Sequence, residues 1–150
     1  MLMSKHQPTD LNLHRGIRVD TLEWVYGNYI KLPDRDLILP MESDYTLKYE
    51  NTEHSTVTIP CHTVLRETVG RYIGFDDKKN LPIFCGDILR FHSVVNRIPD
   101  FNGYVVYSPK DAQFLHYYEK CSPYKAFWLS TEWEYTKIGN MYENSNLIVI

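Results

Sequence analysis

No stretch of this 150-residue chain holds the ~18 consecutive apolar residues that a membrane-crossing helix needs. The start, Met1 to Pro8, also lacks the continuous apolar run of a secretory leader. Neither membrane insertion nor secretion is expected. Cysteine is scarce: Cys61, Cys85 and Cys121 are odd in number, far apart and without a C-x-x-C pair. That argues against a disulfide framework and suits a reducing compartment, so a cytoplasmic location is expected. Charge of one sign is missing as well, since 16 Lys and Arg intermix with 19 Asp and Glu for a formal net charge of −3. A non-specific phosphate binder would show a basic footprint, and none is visible here. Walker loops, Ser-centred elbows and His-Glu zinc helices are absent, as are fixed-period repeats and Ser/Gly linkers.

Aromatic residues are abundant: 12 Tyr, 6 Phe and 3 Trp make up 14% of the chain. Such side chains fit pleated, half-buried sheets better than helices. Short β-type segments recur with turn signals every 8 to 12 or so residues, and long amphipathic helical patterns are scarce. These features predict a mainly β fold, a small barrel or sandwich of short antiparallel strands with little helix. Residues 1–13 read as a flexible N-terminal tail and residues 14–150 as a single domain.

Along the chain, Ile17 and Val19 alternate with Arg18 and Asp20, Thr21-Leu22 gives a turn, and Trp24 to Ile30 is dense in β-formers. This predicts a hairpin. Leu37-Ile38-Leu39, closed by Pro40, reads as a strand, and so do Tyr45 to Tyr49 and Thr56 to Ile59. Thr63 to Arg66 fits either extended chain or one helical turn. Thr68 to Phe75 alternates before the charged loop Asp76 to Asn80, after which Ile83-Phe84 and Ile88 to Phe91 resume the β pattern as one unit. Asn102-Gly103 predicts a turn before Tyr104 to Tyr107, and Ser108 to Asp111 a second turn before a return strand, Phe114 to Tyr118. Phe127 to Leu129 and Tyr135 to Ile138 are the last strands, Gly139-Asn140 is expected to break the chain, and residues 145–148 suit a short helical turn.

Four segments in this order, Trp24-Val25-Tyr26-Gly27, Val69-Gly70-Arg71-Tyr72-Ile73-Gly74, Gly86-Asp87-Ile88-Leu89 and Ile138-Gly139-Asn140-Met141-Tyr142-Glu143-Asn144, resemble the YopX protein family of phages and prophages. The similarity runs from about Gly16 to Leu147 and includes Gly103 to Tyr107 and Phe127 to Ser130. The chain departs from the family pattern at Asn80-Leu81-Pro82, where Asn-Gly is usual, and at Cys85, where an acidic residue is usual. The resemblance implies a mostly β domain carried by a mobile element, and it assigns no activity to any residue.

Each chemical candidate has a structural competitor. Trp24 to Gly27 would give a stacking platform if exposed, but a strand with rings in the core explains it more simply. Gly70, Gly74 and Gly86 lack the helix start that a phosphate cradle requires and suit bulges or bends. Asp87 fits a turn or strand start that holds backbone amides. Cys61, His62, His54, Cys85, His92, His116 and Cys121 have no local ligand spacing, so no metal or cofactor is expected. Cys61 and His62, adjacent on an extended chain, would point to opposite faces and could not act as nucleophile and base.

The leading expectation is a non-enzymatic accessory protein that binds a host or phage protein, or a second copy of itself, through exposed Tyr or Trp on one sheet face. The alternative is a nucleic-acid-binding small barrel with Arg66, Arg71, Lys78, Lys79, Arg90 and Arg97 on one face. An enzyme with a pocket assembled from distant residues comes third.

Overall fold

A computed structural model of the chain describes residues 12–41, 59–93, 99–117 and 126–148. The strands expected at Tyr45 to Tyr49 and Thr56 to Thr58 lie outside the described residues, as do His54, Arg97, Cys121 and the first 11 residues. The architecture is mainly β, with two single-turn 3-10 segments, and it divides into two compact units, residues 12–69 and residues 70–148.

The first unit holds β1 (Leu13–Ile17), β2 (Trp24–Lys31), β3 (Asp36–Pro40) and β4 (His62–Val64), antiparallel in the order β4-β3-β2-β1. The predicted hairpin is present, with Ile17 opposite Trp24 and Leu13 opposite Asn28. Leu13, just ahead of the expected domain start, opens β1 with 1% exposure. The sheet curls until β4 returns to the end of β1. Arg18 bridges Val64, the Val19 amide donates to the Thr63 carbonyl at 3.0 Å and the Leu65 amide to the Ile17 carbonyl at 2.8 Å. This bridge covers part of a sheet edge that would otherwise invite mispairing.

So small a barrel leaves little interior. Val25, Ile38 and Val64 fill it, with Val69 packed against them. A Cβ on Gly16 would stand 3.0 Å from the Val64 Cβ, and one on Gly27 would overlap the Leu39 carbonyl oxygen at 1.8 Å. Glycine at Gly27 is therefore a condition of the strands' close approach, and at Gly16 it makes for a tight contact with Val64. The segment read two ways from sequence contains both forms: β4 is extended, and Arg66–Thr68 makes a 3-10 turn. Thr68 Oγ1 fixes that turn by accepting the Ile17 amide at 2.8 Å and donating to the Leu65 carbonyl at 2.7 Å.

The second unit contains the pair β5 (Gly70–Asp76) and β6 (Pro82–Phe84). It also contains a five-stranded antiparallel sheet of β7 (Asp87–His92), β8 (Phe101–Ser108), β9 (Gln113–Tyr117), β10 (Ala126–Trp128) and β11 (Glu134–Asn140), ordered β10-β9-β8-β7-β11. β5 pairs with β6 as expected, but β7 does not continue that unit; it pairs with β8 and β11. The redirection occurs at Gly86, whose φ of 88° is accessible to glycine and strained for other residues. Gly74, with φ 101°, sits in the register shift between Tyr72 and Asp76, which is a bulge.

Two further expectations are corrected. Asn102-Gly103 is not a turn but the interior of β8, because a Cβ at Gly103 would lie 2.5 Å from the Tyr117 carbonyl oxygen and 2.6 Å from His116 Nε2. The glycine is there to admit β9 and the buried His116. Gly139 likewise continues β11 through a register shift, and the chain turns only after Asn140. The Asn140 side chain accepts the Tyr142 and Glu143 amides, each at 3.0 Å, an Asx-type turn.

The core of this unit is Ile83, Leu89, Phe91, Val105 and Tyr135, with Ile73, Phe75, Phe101, Phe114 and Leu129 packed around it. Phe91 stacks on Phe101 at 4.9 Å and meets Trp133 edge-on at 5.5 Å. Among the described residues, no helix is long and apolar enough to cross a membrane.

Candidate functional site

Three constellations place polar or aromatic chemistry where it does more than fill a core. The first is at the mouth of the barrel. Alternation along β2, β3 and β4 puts Tyr29, Asp36 and Val64 on the inward face, so Asp36 opens β3 over the end of the apolar interior. Its carboxylate accepts the Tyr29 hydroxyl at 2.7 Å through Oδ1 and the Arg66 Nε–H through Oδ2. The Asp36 side chain is 1% exposed and that of Arg66 59%. Arg66 and then Tyr29 hold the Asp36 carboxyl below its ordinary range, while burial followed by the Asp36 contact raises Tyr29. Asp36 is covered by its immediate partners but sits shallow at the rim. A groove lined by Pro33 to Asp36 and Thr63 to Glu67 opens beside the guanidinium.

The second is a chain of contacts on the second unit. His92 Nε2 is 2.7 Å from Thr136 Oγ1, and its Nδ1 is 3.3 Å from Asp100 Oδ2. Asp100 also accepts the Ser93 amide at 3.1 Å and pairs with Arg90 Nε at 3.5 Å. The Ser93 amide is the main reason its carboxyl stays below the usual range. Hydroxyl, imidazole and carboxylate follow the order used to activate a nucleophile. Such a hydroxyl must also meet substrate, and Thr136 is 8% exposed. As it stands, the chain ties β7 to β11 and to the segment before β8.

The third is aromatic. Trp128 is opposite Leu115 on β9, and Leu115 is opposite Val106 on β8, so the three form one row across the face of the five-stranded sheet turned away from His116. Trp128 is 68% exposed, and Leu115 and Val106 are half-buried. Tyr104 and Tyr117 form a parallel row on the same face, with ring centroids 5.2 Å apart.

A family model described as YopX protein matches residues 14–149. The chain belongs to the YopX family. No curated protein and no solved structure matches it. The four YopX-like segments fall at structural positions. Trp24 to Gly27 is the start of β2, where Val25 enters the core while Trp24 and Tyr26 stay half-buried on the other face, so the expectation of rings in the core is corrected. The Arg15 guanidinium lies 4.5 Å from the Trp24 ring centroid, which covers the surface a stacking ligand would need. Gly86 turns the chain, and Asp87, 0% exposed at the start of β7, accepts the Phe84 amide at 2.8 Å and pairs with Lys137 at 3.4 Å. At the two departures, Asn80 adopts the left-handed φ of 60°, and the Cys85 thiol donates to the Val105 carbonyl at 3.5 Å.

The remaining candidates separate. Among the described residues, no three His, Cys, Asp or Glu side chains come together as metal ligands. His116, 1% exposed, makes an Nε2 contact of 3.1 Å with the Leu89 carbonyl, and burial pushes its pKa down to about 4, so it is neutral. Cys61 and His62 sit at the start of β4, both partly exposed. Of the cations suggested for a nucleic-acid face, Arg66 is engaged by Asp36 and Arg90 by Asp100, while Lys78 and Lys79 lie in the β5–β6 turn. Sequence reading missed Asp36 and Asp77. Asp77 looked like one more charge in a loop, yet it accepts the Lys79, Leu81 and Lys137 amides at 2.7, 3.0 and 2.9 Å. An Asp directly ahead of an apolar strand was the available signal for Asp36.

Proposed function

We propose that this YopX-family chain is a non-enzymatic accessory protein, encoded by a phage or prophage and acting in the bacterial cytoplasm, that binds a protein partner through the Trp128 face. The observation that supports this is the Val106–Leu115–Trp128 row, which ends in an indole 68% exposed on an edge strand. Tryptophan combines a large apolar area with few rotors, and for that reason it is prominent among residues that carry binding energy. Arg90 is paired with Asp100, and Arg66 lies in a groove that also holds Asp34, Asp36 and Glu67, which leaves the nucleic-acid alternative with less support.

The test is affinity capture of the tagged protein from lysate of its own host, with and without nuclease, alongside a Trp128→Ala variant. A defined protein retained after nuclease and reduced at least tenfold by Trp128→Ala is the expected result. Recovery of nucleic acid, with protein hits lost on digestion, overturns the reading.

A further inference from the structure

The ion pair at the barrel mouth is lopsided. An arginine whose only task was to satisfy Asp36 would gain nothing from exposure, yet the Arg66 side chain is 59% exposed while the carboxylate it serves is 1% exposed. A guanidinium carries five N–H donors. Asp36 takes the one on Nε, and the other four, all on the two Nη atoms, have no partner among the described residues.

The group is also held in place. Arg66 begins the 3-10 turn that Thr68 ties to β1, and its Nε is clamped by a carboxylate that Tyr29 fixes from the other side. Much of the side-chain ordering that a ligand would otherwise have to impose is already in place. The charge is settled too, since Asp36 raises the Arg66 pKa and Arg66 lowers that of Asp36.

We infer that the barrel-mouth groove is a carboxylate-binding site, in which Arg66, clamped at Nε by Asp36, offers its Nη groups to an acidic side chain or the C-terminal carboxylate of a peptide. A planar carboxylate fits the paired donors of a guanidinium. Other groove residues favour one negative charge over two: Glu67 is adjacent on the same turn, and Asp34 is already paired with Arg35. Glu67 would repel a phosphate dianion about twice as strongly as a single carboxylate, and the site shares no residue with the Trp128 row.

The test uses the full chain with isotope-labelled arginine, following the Arg66 Nε–H resonance by NMR. The titrants are an acetylated, amidated pentapeptide with a central glutamate, the same peptide with glutamine, an acetylated triglycine with a free C-terminus, and inorganic phosphate. A saturable shift with the glutamate peptide, the free C-terminus or both, at least tenfold weaker for the glutamine peptide, is expected. The glutamate and triglycine arms separate the two sources of carboxylate.

Arg66→Lys keeps the charge and loses the fork, so carboxylate binding, followed by backbone amides of residues 63–67, falls at least tenfold. Tyr29→Phe loosens the clamp with little structural cost and weakens binding by a smaller factor. Trp128→Ala leaves it unchanged. Equal binding of the glutamine peptide, equal or tighter binding of phosphate, unaltered binding by Arg66→Lys, or no saturable shift with any carboxylate overturns the inference.

Discussion

In the barrel of residues 12–69 the interior is Val25, Ile38 and Val64 closed around Gly16, whereas in residues 70–148 it is Phe91, Tyr135, Leu89, Ile83 and Val105 around a buried histidine. One is made small by the absence of side chains and the other large by rings. The curled sheet brings β2 and β3 so near that glycine is required at Gly27, and it ends in a polar clamp at its mouth. The five-stranded sheet has room for aromatic packing and carries the exposed Trp128 on the opposite face. A steric addition should therefore break the first unit, and a deletion the second.

The sharpest test of that contrast is a pair of substitutions. Leu89→Ala removes a fully buried side chain from the aromatic core and is expected to cost about 2–5 kcal/mol through lost burial and a residual cavity. Gly27→Ala adds a single carbon that overlaps the Leu39 carbonyl, so the strands must separate, at a cost of roughly 3 kcal/mol or more. Urea unfolding measured by circular dichroism gives both values. A near-neutral Gly27→Ala would show that the barrel is looser than its geometry.

The second test uses pH. The His116 pKa is pushed from its ordinary 6.5 down to about 4, chiefly by burial. Between these values the unfolded chain takes up a proton that the folded chain refuses. The stability due to the neutral imidazole is fully present above pH 6.5 and is lost as pH falls to 4, on the order of 3 kcal/mol in all. The clamp does not contribute in this window, because Asp36 is held below its ordinary value of 3.8 and the stability it adds is lost only as pH falls further. His116→Gln should be less stable than the parent at pH 7 and show a flatter profile from pH 6.5 to 4. An unchanged slope in the variant would locate the acid sensitivity elsewhere.

The contrast also explains what could be read in advance. Local alternation and turn residues were enough for the β1–β2 hairpin, the β5–β6 pair and the β8–β9 turn, since each depends on residues near in sequence. Asn102-Gly103 misled because its glycine answers to distant neighbours, Tyr117 and His116, and Gly139-Asn140 because its glycine makes room for the Asn144 side chain while β11 runs on through a register shift against β7. A turn and a close strand approach leave the same mark in a single sequence. The clamp was illegible for a related reason. Tyr29, Asp36 and Arg66 come from three elements, and only the curling of β3 and β4 brings Arg66 to Asp36, 30 positions away. Exposure of Tyr or Trp on a sheet face could be anticipated as a type, but that Trp128 was the residue depended on which strand became the edge.

The smallest expected effect concerns the Thr136–His92–Asp100 chain, which lies on the aromatic unit but outside its core. If it is a tie between strands, its value is that of one good hydrogen bond, and Thr136→Val should cost about 1 kcal/mol. His92→Ala, at a partly exposed position, should cost no more, and the double variant should fall short of the sum by about 0.5 kcal/mol or more, because each substitution removes the same bond. Urea unfolding of the four proteins measures that coupling. Full additivity would mean that the 2.7 Å contact holds nothing together. A Thr136→Val variant of parental stability would leave the hydroxyl without a structural task, and the chain's likeness to a nucleophile relay would then call for an assay with an activated ester.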